Sequence, residues 1–165
     1  VILTELNKSI IETLKQKGVD FEARDGMDIG LCCLDLEENT LSYAGANRNL
    51  YVVKETGLEV IPADRQAIGG YREFHKAFTK HTFQDYSDMK AIYMTTDGFA
   101  DQFGGERMKK FSSKRLKTLL TDSAKLEFPQ QRKALKTTLR NWMGKEEQID
   151  DILIVGFNPN SCVND

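Results

Sequence analysis

Ala91-Ile92-Tyr93-Met94-Thr95-Thr96-Asp97-Gly98 is an apolar run that stops at a carboxylate and a glycine. A short apolar run of this kind suits a buried strand, and the glycine lets the chain turn away beneath it. A second apolar run, Ile152-Leu153-Ile154-Val155-Gly156-Phe157, is opened by the pair Asp150-Asp151. Neighbouring antiparallel strands bring the end of one beside the start of the other, so two acidic strand ends are placed to meet. Hard divalent cations such as magnesium and manganese take oxygen ligands, and carboxylates fixed on rigid strands supply them at low entropic cost. Each half also has a plain reading, since Asp-Gly is a common turn signal and an Asp pair before a strand is often simply exposed. Ile149-Asp150-Asp151-Ile152 weighs against the plain reading. Burying that strand draws a carboxylate toward low dielectric, a cost that a cation or hydrogen bonds must offset.

Working outward, Ile2, Leu3, Leu6, Ile10 and Leu14 recur at helical spacing from the first residues, and Gly18 closes that helix. No capping residue precedes Val1, which reads as an excised piece of a longer protein. Asp25-Gly26-Met27-Asp28 predicts a turn into a strand over 29–36, and Glu37-Glu38-Asn39 a hairpin turn into a strand over 40–44. Further strands are predicted over 50–54, 58–61, 78–83 and 90–96, then helices over 114–120 and 130–143, then a last strand from Ile152. Strands joined by short turns, then helices, then a returning strand predict an α+β fold with an antiparallel sheet covered by helices. Residues 158–165 are a polar tail expected to fray.

With 165 residues, 40% of them hydrophobic, the chain is long enough for one domain with a real core and short for two. Its 23 Lys and Arg against 25 Asp and Glu leave a net charge of -2, so no global basic field argues for nucleic acid or an anionic membrane. No apolar run approaches the ~20 residues of a membrane helix. The three cysteines offer neither a disulfide framework nor a zinc spacing, and a reducing cytoplasm is the expected compartment.

Several phosphate chemistries are excluded by what is missing. There is no Gly-x-x-x-x-Gly-Lys-Ser/Thr loop and no Gly-x-Ser-x-Gly elbow. Asp101 lies four residues past Asp97, too far for the paired aspartates of an aspartyl-phosphate enzyme. His75 and His81 form no His-Glu-x-x-His pattern and read as surface or strand residues, while Cys32-Cys33 reads as core. Gly104-Gly105, followed by Lys109-Lys110 and Lys114-Arg115, reads as a flexible loop leading into a solvated helix face. The same residues also suit a mobile flap whose cations attract a phosphorylated protein.

Four segments, taken in order, resemble a known family. Asp25-Gly26-Met27-Asp28-Ile29-Gly30-Leu31-Cys32, Tyr43-Ala44-Gly45-Ala46-Asn47, Thr95-Thr96-Asp97-Gly98-Phe99-Ala100-Asp101-Gln102-Phe103-Gly104-Gly105 and Ile149-Asp150-Asp151-Ile152 are similar to bacterial metal-dependent serine/threonine phosphatases of the stage II sporulation protein E type, within the 2C-type group. The resemblance runs from about Val1 to Phe157.

It implies an antiparallel β-sandwich flanked by helices, with two Mn2+ or Mg2+ ions at one edge. Metals in such sites activate a water that attacks phosphorus directly. Carried onto this sequence, the ligands are Asp97 and Asp150, with Asp151 as their neighbour, and Gly98, Asp28 and Asn47 belong to the substrate rim. The implied substrate is a phosphoserine or phosphothreonine protein, such as an anti-sigma-factor antagonist, under an upstream sensor module. The family's Asp-x-x-Gly-His-Gly-like segment has no counterpart in these 165 residues. That predicts a phosphatase domain truncated at its N-terminal side, with impaired hydrolysis and a sheet edge that invites a homodimer. The rival expectation is a non-catalytic module that binds a phosphorylated partner.

Overall fold

The computed structural model describes residues 1–14, 26–70 and 76–163. In chain order the elements are α1 (Ile2–Thr13), β1 (Gly26–Met27), β2 (Ile29–Asp35), β3 (Thr40–Ala46), β4 (Leu50–Lys54), β5 (Gly57–Ile61), β6 (Ile68–Gly69), β7 (His81–Phe83) and β8 (Met89–Thr95). They continue with α2 (Gly98–Asp101), β9 (Phe103–Gly104), β10 (Lys109–Lys110), α3 (Ser113–Ser123), α4 (Phe128–Met143) and β11 (Ile154–Phe157), and a 3-10 turn spans Pro159–Val163. Contacts divide the chain into two units, Val1–Leu50 with Ile61–Tyr86, and Tyr51–Val60 with Ser87–Asp165. Gly18, Asp25 and His75 lie outside the described residues.

In the first unit α1 buries Leu3, Asn7 and Ile11, a stripe spaced by one helical turn. Ile2 and Leu14, which the periodicity counts as core, stand exposed beside it. Asn7 is tolerated inside because its Oδ1 accepts the Gly69 backbone N–H at 2.7 Å, so no buried polar group is orphaned. Antiparallel pairing of β2 with β3 runs from Ile29↔Ala46 to Asp35↔Thr40, and β7 joins the far side of β3 through Leu41↔Phe83 and Tyr43↔His81. The hairpin turn forms where Asp35 Oδ1 accepts the N–H groups of Glu37 and Glu38, and Asn39 takes a φ of 51°. His81 stacks on Tyr43 with ring centroids 6.0 Å apart.

The second unit is a four-stranded sheet in the order β11-β8-β4-β5. Tyr51, Val53, Ala91 and Tyr93 send one face of it into a core with Leu116 and Leu120 of α3 and Leu135 of α4. The Tyr93 hydroxyl donates to Gln131 Oε1 at 2.6 Å, and burial pushes that phenol up to about 12. Gly156 is required opposite it, because a Cβ there would sit 2.8 Å from the Tyr93 ring. α4 opens with Pro129 in its first turn, where a missing N–H costs nothing.

The antiparallel sheets and their helices make an α+β fold. Boundaries move at several points. The last strand begins at Ile154, not Ile152, because the Asp151 carbonyl and the Leu153 N–H bond to the Thr96 hydroxyl outside regular pairing. The strand predicted over 78–83 shortens to His81–Phe83. Pro159–Val163 is no frayed tail, since Asn160 Nδ2 donates to the Met89 carbonyl at 3.0 Å and holds the turn on β8. The cysteine pair is not core throughout: on β2, Cys32 is half-buried and Cys33 exposed.

Burial, and secondarily Cys33, pushes the Cys32 thiol from 9.0 up to about 11. Only the thiolate is alkylated, so Cys32 presents roughly 100-fold fewer reactive groups at pH 8 than an ordinary cysteine. Iodoacetamide is expected to modify Cys33 well before Cys32, with Cys32 catching up only as pH rises toward 11. Fragment-ion mass spectrometry of timed samples reads the order, and simultaneous labelling at pH 8 would contradict the burial.

Candidate functional site

β8 and β11 pair antiparallel through Ile154↔Thr95, and continuing that register sets Ile152 opposite Asp97 and Asp151 opposite Gly98. Hydrogen bonds fix the extension. Thr96 N–H donates to the Leu153 carbonyl at 3.0 Å, Leu153 N–H donates to Thr96 Oγ1 at 2.9 Å, and Thr96 Oγ1 donates to the Asp151 carbonyl at 2.8 Å. Gly98 closes the seat: a Cβ there would lie 2.5 Å from the Asp151 carbonyl oxygen and 3.0 Å from Ile152 Cγ1. The segments bearing Asp97 and Asp150-Asp151 therefore lie side by side in the second unit.

Asp97 is the N-cap of α2, and its carbonyl accepts the Asp101 N–H at 3.0 Å. Asp150 Oδ1 accepts the Asp151 N–H at 2.7 Å, which aims that carboxylate along its own backbone. Asp97, Asp150 and Asp151 are all exposed, and Ile149 is 55% exposed. The desolvation cost predicted from the isoleucine bracket does not arise, because Ile152 alone turns in against the core while both carboxylates and Ile149 stay exposed.

Gln102 was not singled out by sequence, and it is the fully buried hub behind this edge. Its Nε2 donates to the Glu147 carbonyl at 2.8 Å, and its Oε1 accepts the Ile149 N–H at 3.3 Å. Its own carbonyl accepts Trp142 Nε1 at 3.0 Å and the Phe111 N–H at 2.9 Å. One carboxamide thus ties the end of α2, which Asp97 caps, to the stretch leading into Asp150. A neutral polar residue in a turn-rich stretch carries no periodic signal of burial, which is why pattern reading passes over it.

Gly104-Gly105 is likewise no open flap. Gly105 N–H donates to the Trp142 carbonyl at 2.9 Å, and a Cβ on Gly104 would collide with that same carbonyl. The glycines serve close approach, and at Gly105 a φ of 67° as well.

Asp28 and Asn47 belong to the first unit. Asn47 Nδ2 donates to Asp28 Oδ1 at 2.8 Å, and Arg48 Nη2 pairs with Asp28 Oδ2 at 3.0 Å. Both carboxylate oxygens are engaged, and Arg48 is the partner that sequence reading missed. Asn47 sits at φ 56°, a conformation asparagine tolerates, with its N–H on the Asp64 carbonyl at 2.9 Å. Gly45 beneath it admits no side chain, since a Cβ would meet the Arg48 carbonyl at 2.5 Å.

Asp97, Asp150 and Asp151 offer only oxygen donors, and Asp150 Oδ2 and the Asp151 carboxylate accept no hydrogen bond among the described residues. In kind they fit a hard divalent cation. In number they make part of a ligand shell, and no group of three or more His, Cys, Asp and Glu side chains able to hold a metal forms among the described residues.

No protein-family profile and no curated protein matches the chain. Among solved structures it is similar to the SiaA PP2C domain of Pseudomonas aeruginosa, with 30% identity and a TM-score of 0.79, over 95% of this chain and 59% of that one. A bacterial serine phosphatase, in a point-mutant form, matches in fold at 13% identity and a TM-score of 0.62, over 93% of this chain and 62% of its own. The phosphatase domain of SpoIIE from Bacillus subtilis, in a manganese-presoaked form, matches at 14% identity and a TM-score of 0.55, over 95% and 70%. The chain thus spans 59% and 62% of the first two structures.

Replacing Gln102 by Leu keeps the volume and removes the carboxamide, stranding the Glu147 carbonyl and the Ile149 N–H. The expected loss is about 1–3 kcal/mol for the buried groups left unpaired. Urea unfolding followed by the fluorescence of Trp142, the single tryptophan, measures it. A midpoint equal to that of the parent protein would show that the clasp contributes nothing.

Proposed function

From the likeness to the SiaA PP2C domain, which runs over 95% of this chain at 30% identity, we propose that the chain is of the PP2C phosphatase type and serves the metal-dependent hydrolysis of phosphoserine or phosphothreonine on a partner protein. The partner fits bacterial signalling, with an anti-sigma-factor antagonist as one form of it. The observation that supports the reading is the shared seat of two acidic strand ends, Thr96-Asp97-Gly98 against Asp151-Ile152-Leu153.

Asp97, Asp150 and Asp151 would hold Mn2+ or Mg2+, which when bound supplies positive charge to phosphoryl oxygens and Lewis acidity to water. The chain's own residues do the positioning. Thr96 spends its hydroxyl and its N–H on residues 151–153, so the spacing of the two segments is set by hydrogen bonds instead of by the ion. Gly98 lets the backbones touch, and Gln102 braces both from behind. A site built this way meets its ligand with little reorganisation.

The absence of any three-residue metal group among the described residues favours a second reading, a module that binds a phosphorylated partner without turnover. One substitution separates the two. In the full-length protein, Asp97→Asn is expected to lower manganese-dependent phosphate release by about 100-fold or more and to weaken Mn2+ binding in calorimetry. Glu55→Gln, on the turn between β4 and β5 across the sheet from β11, is expected to leave both unchanged. A full-length protein that binds a phosphopeptide with no phosphate release before mutation would sink the enzyme reading in favour of the binding module.

A further inference from the structure

Between Arg107 and Lys117 the chain places Arg107, Lys109, Lys110, Lys114, Arg115 and Lys117 on the β9–β10 hairpin and the first turns of α3. Two nearby acids are already committed. Asp101 pairs with Lys110 at 3.0 Å, and Asp122 pairs with Lys125 at 2.8 Å. Arg115 lies over the Trp142 ring at 4.4 Å. Arg107, Lys109, Lys114 and Lys117 make no ion pair among the described residues.

The helix beneath adds to the same sign. The first turn of α3 carries no acid, and Lys114 and Arg115 occupy the end where the helix dipole is positive and cations are disfavoured. Two cavities adjoin there. One of about 660 Å³ is lined by Lys109, Lys114 and Arg115 over Phe111 and Leu119, with Asp122 at its side, and one of about 450 Å³ by Arg107, Lys109, Arg115 and Trp142, where Glu106 is the one acid against three cations. Arg115 lines both, so they read as one basic groove with an apolar floor.

We propose that this groove docks an acidic segment of the phosphoprotein substrate. The proposal rests on the phosphatase reading for the identity of the partner. Its physical basis is charge complementarity: cations that the chain leaves unpaired attract a polyanion, and Asp97, Asp150 and Asp151 repel one. A phosphoprotein approaching three exposed carboxylates therefore gains from a cationic anchor beside them. The groove is joined to that edge, since Lys110 is bonded to Asp101 at the end of the helix that Asp97 caps. A polypeptide fits better than a nucleic acid. Arg115 covers the Trp142 face on which a base would stack, and the chain as a whole is acidic at -2.

The test uses the full-length protein and a fluorescent Glu/Asp-rich peptide without phosphate. Anisotropy is expected to show binding that is lost on raising salt from about 0.15 to 0.5 M, as screening requires. Lys109→Glu with Lys114→Glu, both exposed, is expected to weaken it about tenfold and to leave p-nitrophenyl phosphate hydrolysis unchanged. Lys109→Gln with Lys114→Gln covers the case in which charge reversal disturbs folding, with circular dichroism as the check. Unchanged peptide affinity in a folded variant overturns the proposal, as does tighter binding of an oligonucleotide of matched charge. Charge-dependent peptide binding by a protein that hydrolyses neither ester nor phosphopeptide upholds the groove and removes the phosphatase reading.

Discussion

The second unit depends on the closure of two strand ends against each other, and that closure is made by backbone and one hydroxyl. Thr96 Oγ1 is the shared atom: it takes the Leu153 N–H and gives to the Asp151 carbonyl. A valine of the same shape would leave both groups without their partner, and a side chain on Gly98 would push the segments apart. Neither residue carries charge. Charge arrives with Asp97, Asp150 and Asp151, which ride on a frame already fixed without them.

That division explains how three acids are tolerated in one neighbourhood. All three are exposed, where water screens their repulsion. The fold does not need a cation in order to close. Cation binding would instead add stability by mass action, in proportion to occupancy. Gln102 matters for the opposite reason. It is buried, so its bonds to residues 147 and 149 form where an unmade bond is expensive, and they hold the approach to Asp150 more firmly than any surface contact.

Much of this was legible in the sequence where pattern and chemistry coincide. β4 matches its predicted span, β8 and α3 match to within a few residues, and the apolar run ending at Asp97 is a central strand, because continuous burial leaves a continuous apolar signature. The motif segments that carry the family resemblance agree with the likeness to the SiaA PP2C domain. Pattern reading failed where the deciding force was local hydrogen bonding. Ile152 and Leu153 look like strand, and Leu153 gives its N–H to the Thr96 hydroxyl instead of to a strand carbonyl. Asn7 and Gln102 look like surface and are buried, because each finds backbone partners far along the chain. Ile2 and Leu14 look like core and are exposed, because the buried stripe of α1 is narrower than its apolar content. Arg48 was invisible beside Asn47 because its ion pair to Asp28 joins the β1–β2 and β3–β4 connections, and no spacing rule encodes it.

At this end of the second unit, packed structure lies between the acidic strand ends and the cations of the hairpin and α3. Gln102 bonds the stretch leading into Asp150, and its carbonyl takes the indole N–H of Trp142 and the N–H of Phe111. Had the lysines been free to reach Asp150 and Asp151, surface ion pairs would have neutralised both sets at small energetic gain. Packing works against that. The hairpin glycines are locked onto Trp142, Phe111 stacks edge-on between Phe99 and Trp142 at 5.0 and 5.4 Å, and Lys110 is spent on Asp101. The aromatic wedge thus acts as a spacer. It leaves an acidic edge and a basic groove within one small unit, the pair of features that the proposed phosphoprotein substrate would meet.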